Sequence, residues 1–341
     1  MLVNQWLNGD FHLGDFVLQS GEELRDARIH YLQRGEIGAP GTDLVLLPTW
    51  YGGRCVGNLP LVEPGSPLAD PRYTILIPGM LGAGESSSPD NAVASQSGAH
   101  WPRVSLFDQV IAQQQMLAAL WPEYRLALVA GWSMGGMQSL QWGCLFPERV
   151  QRLAAWCAAS RCYPVNRLFL DGLEACLVAD PALKEGAHPQ AGLRAFARVY
   201  ASRAYGPGFW RDQCFRQLGF ASDEALLRWW EEDHLAQNPF NLLAVLNTWR
   251  EADISANPLF GHDHRAALAA IRAPALVMPV STDSYFLAEE IAGESARMGD
   301  ARLHTLDSEW GHSAGGPGRN LEVMEALFSA LSDLMLERGA S

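Results

Sequence analysis

The run Gly131-Trp132-Ser133-Met134-Gly135 sets a serine between two glycines, with apolar residues before it and a helix-like segment after it. A serine on a sharp strand-to-helix turn has strained backbone angles, and small residues two before and two after relieve the crowding. The helix then begins at the serine, so its free N–H groups and positive dipole end face the group under attack. That arrangement suits attack on a carbonyl carbon. A serine hydroxyl is a weak nucleophile, however, and needs a base that is itself oriented by an acid. Among nine histidines, His312 in "SEWGHSAGG" follows the last expected strand, where a loop returns to the top of a sheet, and is the candidate base. His304 lies inside the strand-like "ARLHTL". His262 and His264 form a His-x-His pair with no third ligand nearby, so no metal is expected there. His12, His30, His100, His188 and His234 have no supporting context. Asp283 ends "PALVMPVSTD" at the carboxyl end of a strand. It is preferred to Asp307 and Glu309 because the orienting acid normally comes from a different loop than the base. The developing oxyanion needs backbone N–H donors. Met134, directly after the serine, is expected to be one; Tyr51 in "TWYGGR", where Gly52 and Gly53 allow close backbone approach, is the candidate for the other, the alternative being that Gly-Gly merely makes a turn.

These groups must be held by alternating strands and helices. "FVLQSGEEL" and "ARIHYLQRG" read as an antiparallel hairpin around a Gly-Glu-Glu turn. "LVLLPTW", "YTILIPGM", "RLALVAGW" and "VQRLAAWCAAS" are short apolar runs of the kind that form buried parallel strands. Ser105 with Asp108 opens a helix over "SLFDQVIAQQQMLAAL" with a near match to a capping box. From Arg161 to His264 helical periodicity dominates, and strand/helix alternation resumes at "AALAAIRAPALVMPVSTDS". A last helix over 321–336 lines up Leu321, Met324, Leu327, Phe328, Leu331, Leu334 and Met335 on one face. The expected fold is α/β, a mostly parallel central sheet flanked by helices. Residues 1–160 and 265–341 form its core, and 161–264 form a helical lid over the carboxyl ends of the strands, where open α/β sheets place their sites.

Bulk properties narrow the partners. The 341 residues with 48% hydrophobic content can bury a sizeable core. A net charge of -13 opposes nucleic acid and anionic membrane surfaces. The start "MLVNQWLNGDFHLGDF" has neither a basic segment nor an apolar core of a signal peptide, and no apolar run is long enough to span a bilayer. Six scattered cysteines without a CxxC pair read as reduced thiols, so a cytoplasmic protein is expected.

Beyond the serine step, "GWSMGGMQSLQWGCLFPERV", "NRLFLDGLEACLVADPA", "GLRAFARVYASRAY", "NPFNLLAVLNTWREADIS" and "LVMPVSTDSYF" resemble the homoserine O-acetyltransferase branch of the α/β-hydrolase superfamily. The resemblance runs from about residue 40 to the end. It implies a triad of Ser133, Asp283 and His312, no cofactor other than acyl-CoA as co-substrate, and a homodimer through the lid, with Leu227, Trp229 and Trp230 as candidates. It further implies that Arg198 and Tyr205 help hold an acceptor; the alternative for this pair is a lid-packing ion pair and a core tyrosine. Two departures stand out. Thr49-Trp50 replaces the usual His-Gly or His-Ala, so the oxyanion loop differs and Trp50 is a candidate substrate-binding residue. "HSAGGPGRN" also lacks the carboxylates that follow the family's histidine and engage an acceptor's amine. An ammonium buried without a partner is costly, by several kcal/mol. "PTWYGGR" with "WGHSAGGPG" is similar to a sub-branch labelled as hydrolases. The expected reaction is hydrolysis of a small-molecule ester or thioester through an acyl-enzyme on Ser133. Acyl transfer to a hydroxyl acceptor is the alternative, and a non-catalytic binding protein on the same scaffold is the reading from another class.

Overall fold

The computed structural model describes residues 6–336; the segment 1–5, part of the signal-peptide reading, and 337–341 lie outside them. Eight strands form one sheet in the order β1-β2-β4-β3-β5-β6-β7-β8. They are β1 (Leu7–Val17), β2 (Glu23–Arg34), β3 (Asp43–Leu46), β4 (Tyr73–Pro78), β5 (Leu126–Trp132), β6 (Leu153–Trp156), β7 (Ala275–Met278) and β8 (Ala301–Leu303). β1, β2 and β4 pair antiparallel, and every pairing from β4 through β3 to β8 is parallel. The central strands are short and apolar because both faces are covered: β4, β5, β6 and β7 are buried at every residue. The hairpin forms as expected, but β1 starts nine residues before "FVLQ". It is an edge strand with mostly exposed residues, in which half-buried Gly9, Phe11 and Leu13 alternate with exposed Asp10, His12 and Gly14 until two register shifts around Gly14 break the pattern.

Helices α1 (Leu106–Leu120), α2 (Met134–Leu145), α10 (Ala288–Ser295) and α11 (Leu321–Leu336) alternate with the strands. The α1 capping box is complete, with the Ser105 and Asp108 side chains each accepting from the other residue's backbone N–H. On α11, Met324, Leu327, Leu331 and Leu334 are buried, whereas Leu321 is 75% exposed, because the first turn overhangs the core. Between β6 and β7 the chain forms α3 (Pro164–Val178), α4 (Pro181–Lys184), α5 (Gln190–Ala204), α6 (Pro207–Arg211), α7 (Asp223–Leu235), α8 (Pro239–Arg250) and α9 (His264–Ala270). Among the described residues no helix is long and apolar enough to cross a membrane.

The two ends of this helical segment are tied together beside β6. Ile254 donates its N–H to the Ser160 carbonyl (3.0 Å), and Cys162 donates to Ala252 (2.8 Å). Glu294 of α10 sits buried under the junction. Its carboxylate accepts from the Ser160 N–H and hydroxyl (2.7 Å each) and from the Tyr163 hydroxyl (2.9 Å). His264 contacts the same serine hydroxyl at 2.6 Å. Burial raises the Glu294 carboxyl from its ordinary value of 4.5 to about 7, against the pull of those three donors. The folded pKa lies above the unfolded one, so the native state binds the proton more tightly. The resulting stabilisation is full below pH 4.5 and is lost as pH rises through 7. The shift spans about 2.5 pH units, so the loss is about 3 kcal/mol. Urea midpoints measured between pH 5 and 7.5 are expected to fall in the wild type and to stay nearly level in Glu294→Gln. Equal slopes in the two proteins would refute this account.

Candidate active site

Ser133 is the residue between the last position of β5 and the first of α2, with φ 56° and ψ −129°. This strained conformation, worth roughly 1–3 kcal/mol, is held by a hydrogen bond from the Ser133 N–H to the Trp156 carbonyl on β6 (3.0 Å). It survives only because α2 passes close under β5. A β-carbon on Gly131 would meet the Gly135 carbonyl carbon at 2.3 Å, and one on Gly135 would meet the Pro48 oxygen at 2.5 Å.

His312 and Asp283 arrive from two other loops. Asp283 follows β7, and its Oδ1 accepts the N–H groups of Tyr285 (2.7 Å) and Phe286 (3.1 Å). Its Oδ2 lies 2.8 Å from His312 Nδ1, and His312 Nε2 lies 3.0 Å from Ser133 Oγ. The carboxylate acceptor places the imidazole proton on Nδ1, which leaves Nε2 to accept the serine proton. All three side chains are buried. Trp132 stacks on the imidazole at 4.9 Å, with Tyr285 at 4.7 Å and Phe286 at 5.6 Å. The ring is therefore fixed by packing as well as by hydrogen bonds. Of the rival acids, Asp307 accepts from the Ser281 hydroxyl instead (2.8 Å), and Glu309 packs against Gly208.

The segment after β3 closes the other side. The Gln138 amide on α2 donates to the Thr49 carbonyl (2.8 Å) and is braced by Gln113 (2.7 Å). This pins Thr49-Trp50-Tyr51 against the start of α2. Among the hydrogen bonds of the described residues, the N–H groups of Tyr51 and Met134 have no partner, as donors reserved for a developing oxyanion would be. The Tyr51 side chain points away and donates to the Leu242 carbonyl (3.2 Å).

Ser133 and His312 open onto a cavity of about 120 Å3. Trp50, Tyr51, Trp132, Tyr200, Trp229, Trp230 and Tyr285 supply most of its wall, and His234, Asp233, Gln237, Ser313 and Arg319 supply polar groups. Trp50 lines this cavity, edge-on to Trp132 at 5.0 Å. Arg198 and Tyr205 do not line the cavity. Arg198 of α5 bridges to α7 instead, pairing with Glu224 (2.7 Å) and closely with Glu231, so the guanidinium is spent on joining two helices. Tyr205 is buried against Phe209, with ring centroids 4.0 Å apart, and receives the Trp230 indole N–H at 3.4 Å. For both, the alternative of an ion pair and a core tyrosine describes the contacts.

The absence of a carboxylate from 313–320 does not leave the cavity without one, because Asp233 enters from α7. Asp233, His234, Tyr200 and Arg319 carry no local signal. "RWWEEDHL" reads as an ordinary amphipathic helix until it is packed over the serine. Two groups of the described residues bring His, Cys and carboxylate atoms close enough to share a cation: His30-Cys55-Glu85 and Cys157-Asp283-His312. In the first, Glu85 accepts from the Cys55 N–H (2.7 Å) and from Arg54 (2.9 Å); in the second, the contacts to Tyr285, Phe286 and His312 occupy Asp283. His264 contacts Ser160 and not His262.

Comparison with known proteins agrees with this architecture. The alpha/beta hydrolase fold family matches residues 44–176. An ethyl acetate hydrolase of Pseudomonas veronii is 28% identical over 95% of the chain and 94% of its own length. A homoserine O-acetyltransferase of Trichormus variabilis is 26% identical, covering 88% of this chain and 87% of that protein. The crystal structure of an acetylester hydrolase from Corynebacterium glutamicum superposes with a TM-score of 0.90 at 26% identity, covering 97% of this chain and 96% of that one. The chain has the alpha/beta hydrolase fold and is similar both to esterases and to homoserine O-acetyltransferases.

Proposed function

We propose that the protein hydrolyses acetyl and similarly short acyl esters through an acyl-enzyme on Ser133. The observation that carries this is the hydrogen-bonded series Ser133–His312–Asp283 opening onto a cavity of about 120 Å3, far below the roughly 300–1,000 Å3 of pockets for drug-sized ligands. Ser133 Oγ attacks the ester carbonyl as His312 Nε2 takes its proton, and Asp283 stabilises the imidazolium. The carbonyl oxygen becomes an oxyanion held by the Tyr51 and Met134 N–H groups. His312 returns the proton to the leaving alcohol, then activates water to release the acid. No cofactor enters any step. The names of the hydrolytic relatives support the choice of substrate.

Transfer of the acyl group from acyl-CoA to a hydroxyl acceptor keeps every step but the last. It is favoured by the acetyltransferase relative and by the presence of Asp233 beside the serine. The test is acetate and CoA release from acetyl-CoA and p-nitrophenyl acetate, with and without small hydroxy compounds. Hydrolysis predicts p-nitrophenyl acetate turnover without any acceptor. Thioester turnover that appears only with an acceptor, alongside negligible ester hydrolysis, would overturn it. A non-catalytic scaffold predicts no fluorophosphonate labelling of Ser133.

In the same reading, residues 1–160 and 265–341 are the core and 161–264 a lid, since Tyr200, Trp229, Trp230 and Asp233 roof the cavity from α5 and α7. Trp229, 43% exposed at the cavity edge, is the lid residue best placed to meet a second copy in a homodimer. Leu227 and Trp230 are more enclosed by the lid itself. Six unpaired cysteines suit a cytoplasmic protein.

A further inference from the structure

Arg319 is the cation of the catalytic cavity, and nothing in the reaction as written uses it. It follows the His312 turn, and its guanidinium carbon sits 5.6 Å from the centre of the Trp132 ring that stacks on His312. The side chain is exposed, and among the described residues no carboxylate lies within ion-pair distance of it. Asp233, the carboxylate lining the same cavity, is engaged by the Gln237 amide (2.8 Å) and lies 3.4 Å from the His234 ring. In a chain with 38 acidic and 25 basic residues, most arginines near an acid are paired, as Arg194, Arg198 and Arg250 are. Arg319 also borders a second cavity lined by Asp307, Glu309 and Glu322, none of which pairs with it, so its guanidinium is free to meet an anion brought by a ligand.

The chemistry of that ligand follows from the space. Ser133 is buried and Arg319 is exposed on the wall of the same cavity, so the part of an ester assigned to Arg319 is the one projecting outward from the serine, its alcohol portion. A guanidinium holds a carboxylate with charge-assisted hydrogen bonds in a fork geometry. A phosphate dianion would feel Asp233 across the same small cavity more strongly than a monoanion would. We propose that Arg319 is a specificity-determining residue that binds a carboxylate on the alcohol portion of the ester, so that O-acylated hydroxy acids are preferred to neutral esters of the same size. This rests on the serine-esterase reading above, and it holds equally if the acyl group passes to a hydroxy-acid acceptor.

The test compares acetoxyacetate with methyl acetoxyacetate, following acetate release at low and high salt. The ratio of their kcat/KM values is expected to favour the anion in the wild type and to fall toward unity as salt rises. In Arg319→Gln the ratio is expected to drop about 10-fold or more, and Arg319→Lys should recover part of it. Melting curves establish that the variants are folded. A ratio unchanged within about twofold in Arg319→Gln would overturn the proposal, whereas absence of turnover of every ester, p-nitrophenyl acetate included, would overturn the esterase reading instead. In that event glycolate binding to Ser133→Ala protein, compared with glycolamide, reads the same contact without chemistry. Equal binding of the two, or glycolate binding indifferent to Arg319→Gln, would equally dispose of the carboxylate site.

Discussion

Ser133→Ala is expected to lower kcat for p-nitrophenyl acetate by a factor on the order of 10^5 to 10^6 while leaving the melting temperature nearly unchanged. The hydroxyl lies in a small cavity, and among the described residues its hydrogen bond is to His312 alone (3.0 Å), so its removal opens no core void. His312→Ala is expected to have a similar effect on kcat, and the double variant to be no worse than either single one. Nucleophile and base act in one step, and removing either already abolishes the acyl-enzyme. Asp283→Asn should cost on the order of 10^4, because the amide can present a donor to His312 Nδ1 and turn the imidazole to the wrong tautomer. Single-turnover kinetics with intact-mass detection of an acetylated protein are the direct measurement. Additive losses in the double variant, or an acetyl adduct in Ser133→Ala, would remove Ser133 from the mechanism.

The second large effect concerns the elbow itself. Gly131→Ala sets a methyl carbon 2.3 Å from one backbone atom of Gly135 and 2.5 Å from another, with the Gly136 nitrogen at 2.7 Å. None of these atoms belongs to a side chain that can swing aside. β5 and α2 would have to separate, and both are buried along their length. The expected cost exceeds about 5 kcal/mol, comparable with the whole stability of many domains. Loss of soluble protein, or a melting temperature lowered by more than about 10 °C, is the anticipated result. Gly172 provides the contrast. It lies inside α3, is exposed, and an added β-carbon would meet nothing within 4 Å. Gly172→Ala should therefore stabilise by about 0.5–1 kcal/mol. Thermal melts of the two variants side by side check the argument, and a Gly131→Ala protein melting like the wild type would sink it.

These two expectations rest on features of different legibility. The elbow, the α1 capping box and the placement of Asp283 at a strand end are local patterns. Each depends on a few neighbouring residues whose backbone demands are fixed by short-range sterics and hydrogen bonding, so the amino-acid order alone determined them. Leu321 shows where a local pattern overreaches. It continues the apolar stripe of α11, but the stripe begins one turn before the core does. Arg198 was singled out by resemblance, and its neighbours Glu224 and Glu231 stand 26 and 33 residues away on another helix. Arg319 had nothing to mark it, because being unpaired is a property of the space around a charge. Asp233 likewise reaches the cavity only through the packing of α7 on α5. Sequence marked Ser133 as the candidate nucleophile, the strand ends that carry Asp283 and His312, and the α/β class. The tertiary structure alone decided which charged side chains face the serine, since those contacts join residues far apart in the chain whose meeting depends on helix packing that no local pattern encodes.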